Sequence, residues 1–293
     1  MDRLPPTPRR GYAIGLIVSS SVVISFGGVI VRNIDAADPW QINFYRSASL
    51  AAALTVIMLL RYGGATPRYI QSIGAAGIAG AMLLAAAGIA FMQALTHTTV
   101  ANTLFILSAI PFFAAGLARL FLNERLQRIT LATMVAAAVG ISIMIGDGIG
   151  AGSIYGNAMA LATALSFASF AVIVRRQRQV DMVPAVWLSG LIITAVAFLV
   201  RIGDIAISLH DIALCIVWGA VLSGFANSMF VIAARHLAAA EVTLFMLLEF
   251  TLGPLWVWLF IGEQPSRWAL MGGAVVIVSV AIRALAQLRR PSE

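Results

Sequence analysis

The sequence contains no lysine and a single cysteine, Cys215, and these two absences exclude two common kinds of site. A phosphate-binding loop of the Gly-x-x-x-x-Gly-Lys type requires lysine, and an intrachain disulfide requires two cysteines. Charged residues are also scarce, at 11% of 293 residues, whereas apolar residues reach 61%. A water-soluble domain of this composition would lack a polar surface, so the lipid bilayer is the expected solvent.

Signals of enzymatic chemistry are nearly absent. The three histidines, His97, His210 and His236, lie near the ends of apolar runs, without a second histidine at metal-ligand spacing. The sequence has no HExxH motif, and no serine has a histidine and an aspartate in a recognisable local arrangement. We therefore expect no catalytic residue, no metal and no cofactor. A membrane-embedded enzyme acting on lipid or peptide is retained as the rival hypothesis.

The apolar runs predict an all-α membrane protein with ten transmembrane helices, since about 20 apolar residues cross the hydrocarbon as a helix. The first run is too long for a signal peptide and is interpreted as a retained helix. Residues 1–10 and 287–293 are expected to form tails. The predicted spans are 11–31, 40–60, 70–95, 100–122, 129–146, 156–174, 184–200, 212–234, 242–261 and 268–286.

The arginines predict the orientation of these helices. With the N-terminus inside, fourteen of the 19 basic residues fall on the inner side and three on the outer side, and Arg46 and Arg119 fall within spans. This bias places both termini in the cytoplasm and the protein in the inner (plasma) membrane. The pI near 10.7 does not indicate nucleic acid, because the arginines form short caps between apolar runs.

Short sequence matches indicate an internal repeat. Val29–Arg32 recurs as Val172–Arg175, and Thr103–Phe105 recurs as Thr243–Phe245. Five predicted spans separate the copies, and an odd number inverts the second copy across the membrane. Chance similarity between apolar helices is the alternative, but the two matches are collinear and nearly equal in offset. We therefore predict inverted repeats over 11–146 and 156–286, with a substrate cavity at their interface.

The ends of the fourth and ninth predicted spans carry a family resemblance. Leu122-Asn123-Glu124 and Ile261-Gly262-Glu263 resemble the Leu-Gly-Glu corner of EamA-type proteins of the drug/metabolite transporter superfamily. The adjacent Glu-Pro usual in the second repeat is imperfect here, because Glu249 and Pro254 are five residues apart. The resemblance covers Gly11 to about Leu288, and within the superfamily the chain is most similar to YddG-type exporters of aromatic amino acids.

This resemblance implies a secondary transporter that exports small metabolites, such as aromatic or other apolar amino acids, by alternating access. The expected partners are a small-molecule substrate and the lipid bilayer, without nucleic acid, and a monomer is compatible with the pattern. An EamA-type exporter of another metabolite or drug remains the alternative. The predicted cavity lining is Asn102, Phe105, Ser166, Phe170, Asn227, Met229, Phe245 and Glu249.

Two intramembrane charged residues have more than one interpretation, and two prolines have a predicted role. Glu249 would bind a substrate ammonium or a proton, or it would only pack helices. Arg46 would meet a substrate carboxylate, reach the outer interface with its guanidinium, or form a structural pair. Pro111 and Pro254 are predicted to interrupt their helices and to act as hinges, since proline frees a backbone carbonyl.

Overall fold

The computed structural model describes residues 10–123, 128–150, 153–177, 180–202, 204–225, 229 and 239–288. Every regular element in this part of the chain is helical, which confirms the all-α prediction. The helices are α1 (Arg10–Ser25), α2 (Gly27–Arg32), α3 (Pro39–Tyr62), α4 (Thr66–Ser72), α5 (Gly74–His97), α6 (Val100–Leu107), α7 (Ile110–Phe121), α8 (Arg128–Gly150), α9 (Ile154–Arg176), α10 (Val183–Val200), α11 (Leu209–Ile216), a π-helix (Val217–Phe225), α12 (Ala239–Ile261) and α13 (Arg267–Leu288).

Seven helical segments of the described chain are long and apolar enough to cross a bilayer. They are Gly11–Arg32, Pro39–Ser72, Gly74–His97, Val100–Phe121, Ile154–Val174, Val183–Val200 and Arg267–Ala286. Three shorter apolar segments lie where the fifth, eighth and ninth spans were predicted: Arg128–Ile143 within α8, Leu209–Gly224 in α11 and the π-helix, and Leu247–Ile261 within α12. The chain is thus a multi-pass helical protein, and the count of ten spans stays a prediction.

Two of the long segments are broken within their length. The backbone turns at Phe26 between α1 and α2, a break that the sequence analysis did not predict. It also turns at Ser108 and Ala109 between α6 and α7, just before Pro111. Because Pro111 has no N–H, the carbonyl of Leu107 loses its partner one turn ahead. The amide of Ala109 instead bonds the carbonyl of Ile106 at 3.1 Å, as in a tighter helical turn.

The interruption predicted at Pro254 is wrong for the described backbone, because α12 runs without a break from Ala239 to Ile261. Neighbouring contacts hold both sides of this proline. Gly253 lies so close to Leu104 of α6 that a Cβ there would be 2.2 Å from the Leu104 Cδ1 atom. The Trp256 indole donates to the Ser25 hydroxyl at 2.9 Å and stacks on Phe26. The residues on both sides of Pro254 are therefore packed against neighbouring helices.

The two corner motifs share a backbone feature. Asn123 follows α7 with φ of 57°, and Gly262 follows α12 with φ of 79°. Both residues adopt the left-handed conformation that ends many helices, and Asn and Gly tolerate it best. The amide of Gly262 bonds the carbonyl of Trp258 at 3.1 Å. The corner at Gly262 turns the chain so that Glu263 follows directly beyond the end of α12.

Helix α6 lies at the centre of the bundle, and all eight of its residues are buried. It contacts α9, α12 and α13, while α5 packs along α9, α3 along α10 and α8 along α13. Its side chains Val100, Leu104, Phe105 and Ile106 belong to the main hydrophobic cluster. This position brings the start of α6 beside the ends of α2, α5 and α12, where the charged groups described next meet.

Candidate functional site

A charged network joins four helices at one end of the bundle, which we call the Arg32 end. Arg32 Nε donates to Glu263 Oε2 at 2.6 Å, and its two terminal nitrogens donate to the carbonyls of Leu95 and Thr98 at 2.8 and 3.0 Å. Glu263 Oε1 accepts the amide of Val100 at 2.8 Å. The network therefore connects the last turns of α2 and α5, the first turn of α6 and the corner after α12.

The Arg32–Glu263 pair is better shielded than an ordinary surface ion pair. The two side chains are 24% and 20% exposed. Each carries further hydrogen bonds to backbone groups, and charge-assisted bonds of this kind are stronger than neutral ones. The pair also satisfies the amide at the N-terminus of α6, where a carboxylate is favoured by the unpaired N–H groups. Separating these helices would require breaking the whole network.

A buried polar cluster lies directly beneath this network. The Asn102 amide nitrogen lies 3.4 Å from both the Asn157 Oδ1 and Thr98 Oγ1 atoms, and Thr98 Oγ1 donates to Asn157 Oδ1 at 3.1 Å. Asn157 is fully buried, and the Asn102 Oδ1 and Asn157 Nδ2 atoms are buried without a hydrogen-bond partner. Asn102, predicted as cavity lining, thus links α6 to α9 and keeps an unused acceptor. Asn157 was not predicted from the sequence.

Among the predicted lining residues, the two aromatic residues with described side chains lie in different helix interfaces. Phe105 faces Gly273 of α13, where a Cβ would be 2.3 Å from the Phe105 ring. Phe170 of α9 faces Gly80 of α5 and packs edge-on against Phe167. Close glycine approach of this kind is typical of helix packing in membranes. The structure therefore does not bring these two rings together.

The other predicted site residues are not linked to the Asn102 cluster by any hydrogen bond or ion pair among the described residues. Ser166, Met229 and Glu249 are half-buried, and none of the ion pairs found among the described residues involves Glu249. Asn227 lies outside the described residues, as does the side chain of Phe245. The carbonyl of Pro111 accepts a hydrogen bond from Arg283 at 2.8 Å. The roles of these residues in transport stay predictions.

One group of possible metal ligands was not found from sequence. Asp35, His210 and Asp211 bring one ligand atom each within 4.8 Å of one another. The adjacency of His210 and Asp211 is visible in the sequence, but Asp35 comes from a distant loop. The fully buried Asp211 carboxylate already accepts the amides of Asp35 and Ala36, at 3.3 and 3.4 Å. Its evident role is to hold this loop against the start of α11.

Comparison with known proteins identifies likenesses to transporters. Residues 11–146 match the EamA-like transporter family. The pseudopaline exporter CntI of two strains of Pseudomonas aeruginosa is 23% identical over 271 residues, which cover 90% of this chain and 93% of the exporter. A crystal structure of a protein with 18% identity superposes with a TM-score of 0.66, over 96% of this chain and all of that one. This last likeness concerns the fold alone.

Proposed function

We propose that this protein is a secondary transporter of the EamA type that exports small organic metabolites across the inner membrane by alternating access. The observation that carries the proposal is the end-to-end similarity to an exporter, together with a transporter-family match over residues 11–146. No feature of the sequence specifically favours the rival, a membrane-embedded enzyme, and the predicted function needs no cofactor.

Two inverted five-helix repeats, at 11–146 and 156–286, are part of this proposal. The family match ends at residue 146, the predicted end of the first repeat. The left-handed corners at Asn123 and Gly262 occupy corresponding positions. Neighbour relations support it too, because α9 contacts α6 and α7 in the way that α1 and α2 contact α12. An inverted repeat supplies the two related conformations that alternating access requires.

The arginine distribution makes the Arg32 end the outer side, with both termini cytoplasmic. The Arg32–Glu263 network would then close the outer side above Asn102, so that substrate loads from the cytoplasm, as export requires. Opening toward the outside would break this network. Hinge bending at Pro111 and Pro254 would let the fourth and ninth helical segments move during this opening.

The proposed substrate is an aromatic or other apolar amino acid. Its ring would bury apolar area, which contributes about 25 cal/mol per Å², against aromatic and methionine side chains. Its polar end would bind the unused acceptor oxygen of Asn102 and the side chains of Asn227 and Glu249. The proposed lining is Phe105, Ser166, Phe170, Met229 and Phe245 together with these three residues. A second candidate, export of a different metabolite, is favoured by the similarity to a pseudopaline exporter.

Purified protein in liposomes tests the function. We expect uptake of labelled phenylalanine and tryptophan as intact molecules, with threonine transported less, and reduced uptake by Asn102→Ala. Transport of none of the amino acids, with transport of another metabolite in a wider screen, would favour the second candidate. Chemical conversion of a substrate without movement would favour the enzyme.

Thiol labelling tests the outer closure. The labelled variant is Asn102→Cys in a Cys215→Ala background. Asn102 lies beneath the Arg32–Glu263 network and is buried in this structure. A membrane-impermeant maleimide added outside should label it slowly. Glu263→Gln should accelerate labelling, because the loss of charge weakens the bonds to Arg32 and Val100. An unchanged labelling rate would show that the network does not hold the outer side closed.

A further inference from the structure

Arg46 of α3 is a buried cation with little compensation. Only 8% of the surface of Arg46 is exposed. The Nη2 atom reaches Asn43 Oδ1 at 3.4 Å, a long hydrogen bond, and Nε is buried without a partner. Arg46 begins about 10 Å along α3 from Pro39, and its side chain is enclosed by the bundle. It forms no ion pair with a described residue, so the internal ion pair loses its basis in this part of the chain.

The neighbours of Arg46 on α3 are also unsatisfied. Asn43 and Ser47 are both fully buried, and the Asn43 Nδ2 and Ser47 Oγ atoms have no hydrogen-bond partner. Residues at these spacings, three before and one after Arg46, lie on nearby faces of a helix. The cluster therefore offers unused N–H and O–H donors, a set that suits an anion with several acceptor oxygens.

Five carboxylates of the described chain are engaged elsewhere, and the two others with described side chains, Glu249 and Asp35, form no ion pair with Arg46. Four acidic side chains form ion pairs with other cations, and Asp211 accepts the backbone amides of Asp35 and Ala36. The pairs are Arg32 with Glu263, Arg61 with Asp181, and Arg201 with both Asp38 and Asp204. No ion pair involving Arg46 occurs among the described residues. An uncompensated buried charge is costly, so its retention in a transporter points to a ligand that supplies the opposite charge.

Aromatic surface lies next to this cation. The guanidinium carbon of Arg46 is 5.2 Å from the centroid of the Trp218 ring, and Trp218 packs edge-on against Phe91 at 6.4 Å. Trp218 belongs to the π-helix Val217–Phe225, and such helical irregularities are frequent at functional sites. A Cβ at Gly27 would lie 2.9 Å from the Trp218 indole nitrogen, so α2, α3, α5 and the π-helix meet here.

We propose that Arg46, Asn43 and Ser47 form the subsite that binds the carboxylate of an organic anion or zwitterion, with Trp218 and Phe91 beside its apolar part. This inference rests on the proposed transport function and names the group that recognises the charged end of the substrate. Arg46 supplies a planar fork of N–H donors that matches the two oxygens of a carboxylate. Asn43 and Ser47 add donors that are otherwise unused.

Ligand binding to the purified full-length protein tests the subsite without requiring transport. The probes are 3-phenylpropionate and its neutral amide, 3-phenylpropionamide, measured by isothermal titration. We expect the parent to bind the carboxylate about a hundredfold more tightly, as for a desolvated charge pair. Arg46→Met should remove this preference, whereas Arg61→Met, on the same helix and paired with Asp181, should retain it. Equal affinity of the parent for both probes would overturn the proposal.

Thermal unfolding of the same variants separates binding from a structural role. Replacing an uncompensated buried charge with an apolar side chain of similar length should leave the melting temperature equal or higher. A lower melting temperature of Arg46→Met would show that the protein itself satisfies the charge and would overturn the subsite. If the parent does not transport phenylalanine, the proposed substrate is wrong. If Arg46→Met transports phenylalanine normally, only this inference is wrong.

Discussion

The segment α6–α7 and the helix α12 have similar ends and different middles. Each contains an internal proline, and each ends in a left-handed corner, at Asn123 and at Gly262. The first is broken at Ser108 and Ala109, just before Pro111, whereas α12 continues through Pro254. Both prolines lack the N–H that an unbroken helix would use, yet the helix breaks at only one of them.

The surroundings of the two prolines differ as well. Next to Pro254, Gly253 fits against Leu104, and Trp256 bonds Ser25. At Pro111, the Ser108 hydroxyl donates to the Phe105 carbonyl at 2.6 Å, so a side chain satisfies one of the carbonyls that the break leaves exposed. Arg283 also donates to the Pro111 carbonyl at 2.8 Å. The two prolines therefore differ in the contacts of their neighbours, which the following substitutions test.

The largest effect is expected from Gly253→Leu. The added side chain would overlap Leu104, and overpacking at such a contact should lower the free energy of unfolding by roughly 3 kcal/mol. Denaturation in detergent measures this change. The same substitution in a Leu104→Ala background should cost much less, because the smaller residue leaves room. Equal losses in both backgrounds would show that the contact between α6 and α12 does not limit packing.

A smaller effect of opposite sign is expected from Pro254→Ala. Alanine restores an amide that can bond the Phe250 carbonyl, and the stability should rise by about 1–2 kcal/mol, less than the ~3 kcal/mol host penalty of proline. Pro111→Ala is the matched control. Proline at a first turn sacrifices no bond, so its replacement should lower stability by about 0.5 kcal/mol. If Pro254→Ala also transports like the parent, bending at Pro254 has no part in transport.

Among the three substitutions at or beside Pro254, Trp256→Phe is expected to have the smallest effect. The substitution keeps a ring that can stack on Phe26 and removes the hydrogen bond to Ser25, which should cost about 1 kcal/mol. Ser25→Ala should cost a similar amount, and the double variant should cost little more than either single one. Full additivity of the two losses would show that this bond does not support α12 beside Pro254.

The apolar runs of the sequence predict where the helices lie better than where the helices break. The predicted spans 184–200 and 268–286 lie within a few residues of α10 and α13, because long apolar runs leave few alternatives. The turn at Phe26 escaped prediction, since Gly27 and Gly28 alone do not break an apolar helix. The contact between Asn102 and Asn157 also escaped, because it joins residues from different helices.

Composition and apolar periodicity alone determined that this chain is helical and built for a bilayer, because a backbone in lipid must satisfy its hydrogen bonds internally. They also identified Arg46 and Glu249 as costly residues that need a reason. Only the tertiary structure decided which charges are compensated. Glu263 meets Arg32 at the end of the bundle, and Arg46 is buried beside Trp218 without a carboxylate partner in the described chain. That outcome depends on distances across helices, which the order of residues along one helix does not contain.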